Sequence, residues 1–543
     1  MATLTCMNGW NFAEVYERVA EAFPDAPCHI QGQRTFTWAQ FDRRANALAA
    51  DLLAAGLSEQ SKVAAYLYNG PEYMETYQAS FKAGLAPVNT NYRYGPEEII
   101  YLFDNADAEA VVFHASFAPL LDGIRGRLPK VKRWYAVADG SPEPEWAVSY
   151  ESVVGPGADR VVAPWGRSPD HVLLLYTGGT TGMPKGVMWR QDDLFNVLGG
   201  GGNPILGEPP REDLDDFAAR LTGPGARIMP ACPLMHGTGQ FTTYIAMNGV
   251  GCVVTMDDRG FDPAKLWDTV QDQQVNALVI VGDAFAKPLL AALDGQPGHW
   301  DLSSLLVITS SGVMWSHDTK QGLLKHLPSV ILFDSLGSSE AVGMAASVSS
   351  AGSASETAKF TLGDRVKVLT EDGREVQPGS GETGMVAIGG YIPLGYYKDP
   401  EKTAKTFREV DGRRYSIPGD WATVNEDGSL KLLGRGSVCI NTGGEKVYPE
   451  EVEEVLKELP AIADAVCVGL PDERFGEIIC AVVQAAPGSD IDADATIEHV
   501  RGRLARYKAP RQVLVVDSIG RSPAGKVDYR GLRDLALERT GAS

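Results

Sequence analysis

The sequence predicts an α/β protein with a large amino-terminal lobe of two βαβ-type sheets, a small β subdomain and a small α+β domain at the carboxyl end. Short apolar runs alternate with helical segments of 10 to 15 residues, which is the pattern of parallel sheets. Past about residue 360 the strands become shorter and turn residues more frequent. From Tyr448 onward, a capped acidic helix, two strands and two further helices fit a separate compact domain.

The elements follow one another in a regular order along the large lobe. Residues 36–56 space their apolar side chains as a helix does and end on glycine, residues 62–68 predict a strand, and residues 71–84 predict another helix. The same alternation returns over residues 251–337, where four short apolar runs enclose three helical segments. Because parallel strands present their active loops at their carboxyl ends, we expect the functional residues there.

Composition and charge exclude several classes of protein. The 543 residues carry a net charge of −21, which disfavours binding to nucleic acid phosphates or to anionic lipid. The seven cysteines are scattered and contain no CxxC pair, so neither a disulfide framework nor a zinc site is supported. Neither a signal peptide nor an apolar run approaching the ~18 residues of a membrane span is present, and a cytoplasmic location is therefore predicted.

The strongest local signal is the segment HVLLLYTGGTTGMPKGVMWR, residues 171–190, in which an apolar strand runs into a glycine- and threonine-rich loop. Glycines expose backbone N–H groups, threonines add hydroxyl donors and Lys185 adds a cation, so the loop can wrap a polyphosphate. It is not a Walker A loop, because Pro184 precedes the lysine and Gly186 follows it.

This loop resembles the signature of the adenylate-forming superfamily of acyl-CoA synthetases, adenylation domains and luciferases, which is close to YTSGTTGxPKG. The resemblance runs through nearly the whole chain in the family's order, and it implies an acetyl-CoA synthetase-like fold. It divides the chain into a large lobe (1–435), a hinge (436–437) and a small mobile domain (438–543). The other matching segments are FTWAQFDRRANALA, FKAGLAPVNTNYR, PLMHGTG (233–239), DSLGSSE (334–340), IPGDWA (417–422), GRGSVCINTGGEKVYPEEVE (434–453) and RSPAGKVDYR (521–530).

The resemblance also implies roles for individual residues. Lys526 would offset the charge that gathers on the α-phosphate, Glu340 would hold Mg²⁺ and His236 would stand near the substrate carboxylate as the gate. Asp420 would accept hydrogen bonds from the ribose hydroxyls, with Arg435 nearby. The implied nucleotide-binding residues are Thr177, Gly178, Gly179, Thr180, Thr181, Lys185, Ser335, Leu336, Gly337, Ser338, Ser339, Asp420, Arg435 and Lys526.

Two further sets of residues follow from the same resemblance. Ser437 falls at the family's hinge, so the small domain would alternate between a state that closes Lys526 on ATP and a state that opens a tunnel for the pantetheine arm of CoA. The tunnel residues would be Gly443, Gly444 and Glu445. The implied acyl-binding residues are Met235, His236, Gly237, Gly282, Gly312 and Val313.

Four positions depart from the family pattern. Gly178 replaces a serine, Leu336 an aromatic residue and Ser339 a threonine, while Val438 replaces a common acidic residue after the hinge. None of these changes removes a catalytic group.

The predicted activity is an ATP-, Mg²⁺- and CoA-dependent ligase that activates a carboxylic acid through an acyl-adenylate. His236 is followed by Gly237 and Thr238 rather than by an aspartate that would pair with an amino acid's ammonium, and the predicted acyl segments are uncharged. The motif variants look most like an actinobacterial branch, which implies a bulky hydrophobic acid such as a long-chain, steroid or diterpenoid acid.

Two other readings of the sequence stay open beside the CoA ligase. One is a stand-alone adenylating enzyme that loads a carrier protein, and the other is a non-catalytic adenylate-binding relative. The sequence leaves the oligomeric state undecided, a homodimer being one option.

Overall fold

The computed structural model describes residues 9–177, 183–200, 202, 209–313, 315–353, 355–442, 445–472, 475–504, 506–522 and 527–541. Their secondary structure alternates strands and helices through the first two thirds of the chain, then becomes mainly strands, and ends in a small mixed domain.

The first elements alternate as the apolar periodicity predicts. Thr37 begins the long second helix with a capping box, in which its side chain accepts from the Gln40 N–H while the Gln40 side chain accepts from the Thr37 N–H. In chain order the elements are α1 (Phe12–Ala22), β1 (Pro27–Gln31), β2 (Arg34–Thr37), α2 (Trp38–Ala54), β3 (Lys62–Tyr66), α3 (Pro71–Lys82), β4 (Ala86–Asn89), α4 (Pro96–Asn105), β5 (Ala108–His114), α5 (Ala118–Ile124), β6 (Arg133–Val137), β7 (Val148–Ser149), α6 (Tyr150–Val154), β8 (Val172–Thr177), β9 (Lys185–Arg190) and α7 (Gln191–Val197).

The middle of the chain repeats the alternation with a second set of strands. Asp262 caps the helix that follows it, since its carboxylate accepts from the N–H groups of Ala264 and Lys265. The elements are α8 (Leu214–Ala219), β10 (Arg227–Pro230), α9 (Gly237–Met247), β11 (Cys252–Thr255), α10 (Pro263–Asp272), β12 (Ala277–Ile280), α11 (Gly282–Gly295), β13 (Val307–Ser311), α12 (His317–His326), β14 (Ile331–Ser338) and β15 (Ala341–Ser349).

The predicted β subdomain forms from short antiparallel strands. Its elements are β16 (Lys359–Leu362), β17 (Val366–Leu369), β18 (Thr383–Gly389), β19 (Gly395–Tyr396), α13 (Pro400–Thr406), β20 (Phe407–Val410), β21 (Arg413–Ser416), β22 (Asp420–Val424) and β23 (Leu430–Arg435). A single turn of 3₁₀ helix, Gly436–Val438, then leads into the small domain. That domain contains β24 (Ile440–Thr442), β25 (Glu445–Val447), α14 (Pro449–Lys457), β26 (Ile462–Asp472), β27 (Gly476–Ala485), α15 (Ala493–Arg501), β28 (Gln512–Val516) and α16 (Tyr529–Thr540).

Within the described residues the strands form three sheets. One sheet has the order β19-β9-β8-β4-β3-β5-β6-β7, and it is parallel from β8 to β7. The longest runs β2-β1-β11-β10-β12-β13-β14-β15-β16-β23-β22-β18-β21-β20, with β17 beside β18. The small domain has its own sheet, β25-β24-β27-β26, with β28 beside β27.

The β subdomain is continuous with the second large sheet, which is a difference from the separate unit that the sequence suggests. Strand β15 turns back antiparallel to β14, β16 pairs with β15, and β23 pairs with β16. The sequence pattern changes from alternating strands and helices to short strands joined by turns, which indicates antiparallel connections. It does not show whether the new strands pair with the preceding sheet or form a sheet of their own.

Side chains of both large sheets build the main core. Val63 and Ala65 of β3 join one apolar cluster with strands of the other large sheet, while Ala64 and Tyr66 join a second cluster on the opposite face. Successive residues of a strand point to opposite faces, so this sheet is buried on both sides, as parallel sheets usually are. No helix in the described part of the chain is long and apolar enough to cross a membrane.

Candidate active site

The predicted phosphate loop is framed by the hairpin of β8 and β9. Thr177, the last residue of β8, lies directly opposite Lys185, the first residue of β9, in an antiparallel pairing that continues to Val172 and Arg190. Gly186 is required there, because a Cβ atom at this position would lie 2.6 Å from the Tyr176 ring. The loop residues Gly178, Gly179, Thr180 and Thr181 lie outside the described residues.

The side chain of Lys185 contacts Tyr396 of β19, the strand beside β9, and Asp399 just before α13. Its Nζ atom lies 2.7 Å from an Asp399 carboxylate oxygen and 5.9 Å from the centre of the Tyr396 ring. The hydrogen bond from Lys185 lowers the pKa of Asp399 below its usual value. Asp399 also begins α13 by accepting from the Lys402 N–H, so its carboxylate links the lysine to a fixed helix end.

Glu340 reaches the same tyrosine from another direction. The Tyr396 hydroxyl donates to Glu340 Oε1 over 2.7 Å, and the Ser416 hydroxyl donates to the Glu340 backbone carbonyl over 2.7 Å. The indole of Trp189 donates to the Ser339 carbonyl over 2.9 Å. Two residues that the sequence places 155 positions apart, Lys185 and Glu340, are therefore held together by Tyr396.

The surroundings of Glu340 fit a metal ion that is held mainly by its nucleotide. Its half-buried carboxylate is a hard oxygen ligand of the kind that Mg²⁺ prefers. Among the residues that the structure describes, no three His, Cys, Asp or Glu side chains cluster as a metal-binding group. One carboxylate with phosphate oxygens is the usual way in which nucleotide-dependent enzymes bind Mg²⁺, so Glu340 fits the ion.

The predicted adenine segment follows Asp334 at the carboxyl end of β14. Ser335 lies beside Ser311 of the parallel strand β13, which brings the nucleotide segment next to the acyl segment. Leu336 is half-buried against the main core. Gly337 and Ser338 end β14 and Ser339 begins the turn to Glu340; all three residues are half-buried.

His236, the predicted gate residue, stands at the amino end of α9. It is half-buried in an extended conformation, and α9 begins with Gly237 directly after it. Helix α9 lies close to the segment before it at Gly239, where a Cβ atom would lie only 2.6 Å from the Pro233 carbonyl oxygen. Glycine is therefore the residue that this position accommodates. The preceding Met235 is buried.

Two asparagines that the sequence reasoning did not single out hold the gate in place. The buried Asn89 amide donates to the carbonyls of Tyr176 (2.8 Å) and Met235 (2.7 Å), and its oxygen accepts from the Tyr176 N–H (2.5 Å). Asn69 accepts from the Leu234 N–H over 2.7 Å and donates to the Cys232 carbonyl over 3.0 Å. Asn89 thus ties the end of β8 to the gate. Asn89 is the last residue of the buried parallel strand β4, and that position could have marked it as a candidate site residue from the sequence.

The predicted acyl residues converge at the ends of β12 and β13. Gly282 donates its N–H to the Ser310 hydroxyl over 2.9 Å, and Gly312 has a φ of +91° that favours glycine. A Cβ atom at Gly312 would lie 3.7 Å from Thr238 Oγ1 and 4.0 Å from Val281 Cγ1. Gly312 therefore faces α9, and the half-buried Val313 follows it.

The predicted ribose and hinge residues lie on β22, β23 and the following turn. Asp420 is buried and lies directly opposite Arg435. Ser437 belongs to the 3₁₀ turn and Glu445 begins β25; the structure describes only the backbone of Arg435, Ser437 and Glu445. Gly443, Gly444 and Lys526 lie outside the described residues.

A cleft of about 610 Å³ opens at the carboxyl ends of the strands in both large sheets, and the sequence reasoning did not find it. Arg259 crosses this cleft from the loop after β11, pairing with Asp139 and stacking 4.5 Å from the Tyr68 ring centre. The small domain contributes Arg521 and Ser522 to its wall. The charged lining consists of Arg34, Arg93, Arg259, Arg521, Glu72, Asp139, Asp257 and Asp258.

Comparison with known proteins identifies the same two-part organisation. The model of the AMP-binding enzyme family matches residues 16–397, and that of the AMP-binding enzyme C-terminal domain matches residues 451–526.

Two named relatives extend this likeness over nearly the whole chain. A medium/long-chain-fatty-acid–CoA/3-oxocholest-4-en-26-oate–CoA ligase of Mycolicibacterium smegmatis is 40% identical, covering 97% of each chain. A 3-oxocholest-4-en-26-oate–CoA ligase of Rhodococcus rhodochrous is 41% identical, covering 96% of this chain and 95% of its own. Among solved structures, ATP-bound MatB from Rhodopseudomonas palustris aligns over 98% of this chain and all of its own with a TM-score of 0.79 at 24% identity, which confirms the predicted fold.

Proposed function

Because the chain belongs to the AMP-binding enzyme family, we propose that it is an ATP-dependent acyl-CoA ligase that activates a bulky hydrophobic carboxylic acid. Relatives about 40% identical over nearly their full length are named as CoA ligases of fatty and steroid acids, in line with the acid–thiol ligase that the sequence predicts. The observation that carries the proposal is the meeting of Lys185 and Glu340 on Tyr396, beside the β8–β9 hairpin.

The reaction runs in two balanced steps. A carboxylate oxygen of the acid attacks the α-phosphorus of ATP, the bond to the bridging oxygen breaks, and pyrophosphate leaves to give acyl-AMP. The CoA thiol, losing its proton, then attacks the acyl carbonyl, and AMP leaves with the oxygen that came from the acid. A carboxylate is a poor electrophile, and the first step supplies the leaving group that the second step requires.

Several residues would stabilise the first step. Lys185 would supply positive charge and the hairpin loop N–H donors to the phosphates, while Glu340 would be the ligand of the magnesium ion. Mg²⁺, when bound, supplies positive charge that offsets the charge developing on the phosphates. Lys185 pairs with Asp399, so ATP has to compete with that carboxylate for the ammonium group.

The acid is proposed to lie between α9 and the ends of β12 and β13. Gly237 and Gly312 add no side chain to this region, and the proposed acyl residues themselves carry no charge; the neighbouring Asp283 accepts from the Ser316 N–H. His236, at the start of α9, stands between this region and the nucleotide side. A long-chain or steroid acid fits such an uncharged region better than an amino acid does.

CoA is proposed to approach through the 610 Å³ cleft. The cleft is lined by strand ends of both large sheets and by Arg521 of the small domain, so a molecule in it contacts both lobes. It lies against Pro233 and therefore next to the gate at His236. Its arginines suit the phosphates of CoA. Since ATP and CoA are cytoplasmic cosubstrates, we also place the reaction in the cytoplasm.

The test is a pyrophosphate-release screen of the purified protein with ATP and Mg²⁺. Fatty, aromatic, steroid and diterpenoid acids are supplied one at a time, each with and without CoA. We expect release with long-chain or steroid acids, and an acyl-CoA product when CoA is present. Acyl-AMP that accumulates without any thioester would favour the carrier-protein alternative, and the absence of pyrophosphate with every acid would refute the proposal.

The proposed roles of the small domain predict opposite defects in the two half-reactions. Lys526→Ala should nearly abolish acyl-AMP formation, because the α-phosphate loses a cation, while thioester formation from supplied acyl-AMP stays within a few-fold. A bulky residue at Gly443 should do the reverse by blocking the tunnel. Arg530→Ala, at an exposed position of the same motif, is the matched control for Lys526. Equal losses in both half-reactions would contradict the assignment.

A further inference from the structure

A buried ion pair lies directly behind the segment proposed to bind the nucleotide. Lys320 of α12 donates from Nζ to Asp334 Oδ2 over 2.8 Å, and the two side chains are only 1% and 8% exposed. Asp334 is on β14, one residue before Ser335. Asp334 begins the matching segment DSLGSSE, whereas Lys320 lies outside every matching segment, and the sequence reasoning assigned neither residue a role.

Further contacts fix the ammonium group. Lys320 Nζ also donates to the Ser355 hydroxyl over 3.2 Å and lies 5.5 Å from the centre of the Trp315 ring. The Ser355 hydroxyl in turn lies 2.8 Å from that of Ser349, on β15. The lysine, on α12, is thus held by groups from β14, from the segment after β15 and from the residues just before α12.

The pair stands where the proposed acyl and nucleotide segments leave the sheet. Asp334 lies beside Ser310 in the parallel pairing of β14 with β13. The Ser310 hydroxyl accepts the Gly282 N–H over 2.9 Å, at the start of α11. A shift of Asp334 along its strand would therefore move Ser335 and the residues up to Glu340 relative to Gly282 and Gly312.

Stability alone is a weak reason for such a pair. Removing two charges from water costs several kcal/mol, and apolar residues of similar volume often replace a buried ion pair without loss of stability. Burial raises the pKa of Asp334, and Lys320 opposes that rise. Without the lysine the carboxyl would lose the partner that keeps it charged and oriented. A fixed, directional contact is what an ion pair offers and an apolar pair does not.

We propose that Lys320 and Asp334 are positioning residues that hold the segment 335–340 in register with the acyl segment, so that ATP and acyl-AMP bind in a productive place. This role rests on the proposed function. Neither side chain touches the nucleotide; both act through Ser335 and the residues that follow it.

The main variant is the double substitution Lys320→Met with Asp334→Leu, which keeps the volume and removes both charges. We expect it to fold, with ATP binding measured by calorimetry weakened at least ten-fold and the KM for ATP raised to match. The KM for CoA should stay within two-fold, because CoA does not contact this segment. A merely structural role would not separate the two substrates in this way.

A second variant covers the case in which the double variant does not fold. Asp334→Glu keeps both charges and lengthens one side chain by a methylene, so it displaces the segment while preserving the pair. We expect it to fold and to bind ATP at least five-fold more weakly. The control is Lys82→Met, which breaks a buried pair with Glu17 between α3 and α1, helices that bear none of the residues proposed to bind the nucleotide or the acid. It should lower thermal stability and leave ATP binding by the folded protein unchanged.

The outcomes distinguish a failure of the positioning role from a failure of the proposed function. If either folded variant binds ATP as tightly as the wild type, the positioning role is overturned. If Lys82→Met weakens ATP binding as much as they do, the effect is one of stability and the inference is wrong. A wild type that binds no ATP would instead refute the proposed function itself.

Discussion

At the residue scale, the groups proposed to do chemistry are held by side chains that no motif marks. The side-chain amide of Asn89 donates to the carbonyls of Tyr176 and Met235 and accepts from the Tyr176 N–H. Tyr176 precedes Thr177, and Met235 precedes His236. Because Asn89 makes these bonds in a buried place, each lost donor leaves a carbonyl without its partner.

Asn89→Asp should therefore disturb both ends of this connection. The isosteric carboxylate keeps the acceptor for the Tyr176 N–H but faces two carbonyl oxygens that it can no longer satisfy. We expect a loss of about 1–3 kcal/mol in stability and at least a ten-fold fall in kcat/KM for acyl-AMP formation, measured by pyrophosphate release. The control is Asn91→Asp, two residues further on, whose half-buried side-chain oxygen accepts from the Arg93 N–H. Near-normal activity of the Asn89 variant would show that the gate does not depend on this asparagine.

Some contacts of the candidate site could be predicted from the sequence and others could not. Lys185 and Glu340 were predicted because each belongs to a segment with a recognisable pattern. Tyr396 and Asp399, which bring them together, follow a stretch without any catalytic pattern and meet Lys185 across more than 200 positions. A contact made only by the tertiary fold leaves no local periodicity or spacing to detect, and the cleft was missed for the same reason.

At the element scale, the predicted alternation of strands and helices is confirmed, with ends within a few residues of those expected. The long helix expected over 36–56 spans Trp38–Ala54, and the helix expected over 71–84 spans Pro71–Lys82. Strand β19 has only two residues, too few to show a period, yet it adds Tyr396 to the edge of the other large sheet beside β9. Short elements of this kind are defined by their partners rather than by their own sequence.

Helix α9 gives a prediction of its own. A methyl group at Gly239 would lie 2.6 Å from the Pro233 carbonyl oxygen, so Gly239→Ala has to push the helix away from the gate segment. We expect a loss of about 1–3 kcal/mol in the free energy of unfolding and a clear fall in acyl-AMP formation, although alanine favours helices intrinsically.

Gly249→Ala is the matched control for that change. The new methyl group would meet its nearest neighbour, the Ala246 carbonyl oxygen, at an ordinary 3.7 Å. Urea unfolding and the rate of pyrophosphate release should both stay near wild type for this variant. If Gly239→Ala behaves like its control, the close approach of α9 to Pro233 is not a constraint on the site.

At the scale of the whole molecule, the contact between the two lobes contains a largely buried carboxyl group, that of Glu454, with charged side chains around it. Helix α14 of the small domain packs on β23 so closely that a Cβ atom at Gly434 would meet the Glu450 carboxylate. On the same helix, burial raises the pKa of Glu454 to about 7, against the opposing influence of Lys457 and Lys431. Glu451 and Glu453 raise it further.

This arrangement predicts how stability depends on pH. Glu454 binds a proton more tightly in the folded protein than in the unfolded chain, so stability falls as the pH rises from about 4.5 through 7. In the wild type this effect lowers the free energy of unfolding by on the order of 3 kcal/mol between pH 4.5 and pH 8. Glu454→Gln should abolish that decrease, so the variant should be more stable than wild type at pH 8. Urea unfolding at pH 5 and pH 8 measures this, with the exposed Glu538→Gln on α16 as the control. An unchanged difference between the two pH values would contradict the burial of a charged group at this contact.

The net charge of −21 raises a question for a protein proposed to bind two anionic substrates. Local cations have to outweigh the overall field, and the structure collects arginines from both lobes in the cleft beside the gate. Lys185 and these arginines are the described groups that can do so. A molecule bound at this place would contact both lobes.

The central claim, an acyl-adenylate on the way to the thioester, is tested most directly by an isotope. The protein is incubated with ATP, Mg²⁺, CoA and a long-chain or steroid acid whose two carboxylate oxygens are ¹⁸O, and the products are examined by mass spectrometry. The account predicts one ¹⁸O atom in each AMP, with equal amounts of pyrophosphate and acyl-CoA. Unlabelled AMP, or ADP and phosphate in place of AMP and pyrophosphate, would contradict it.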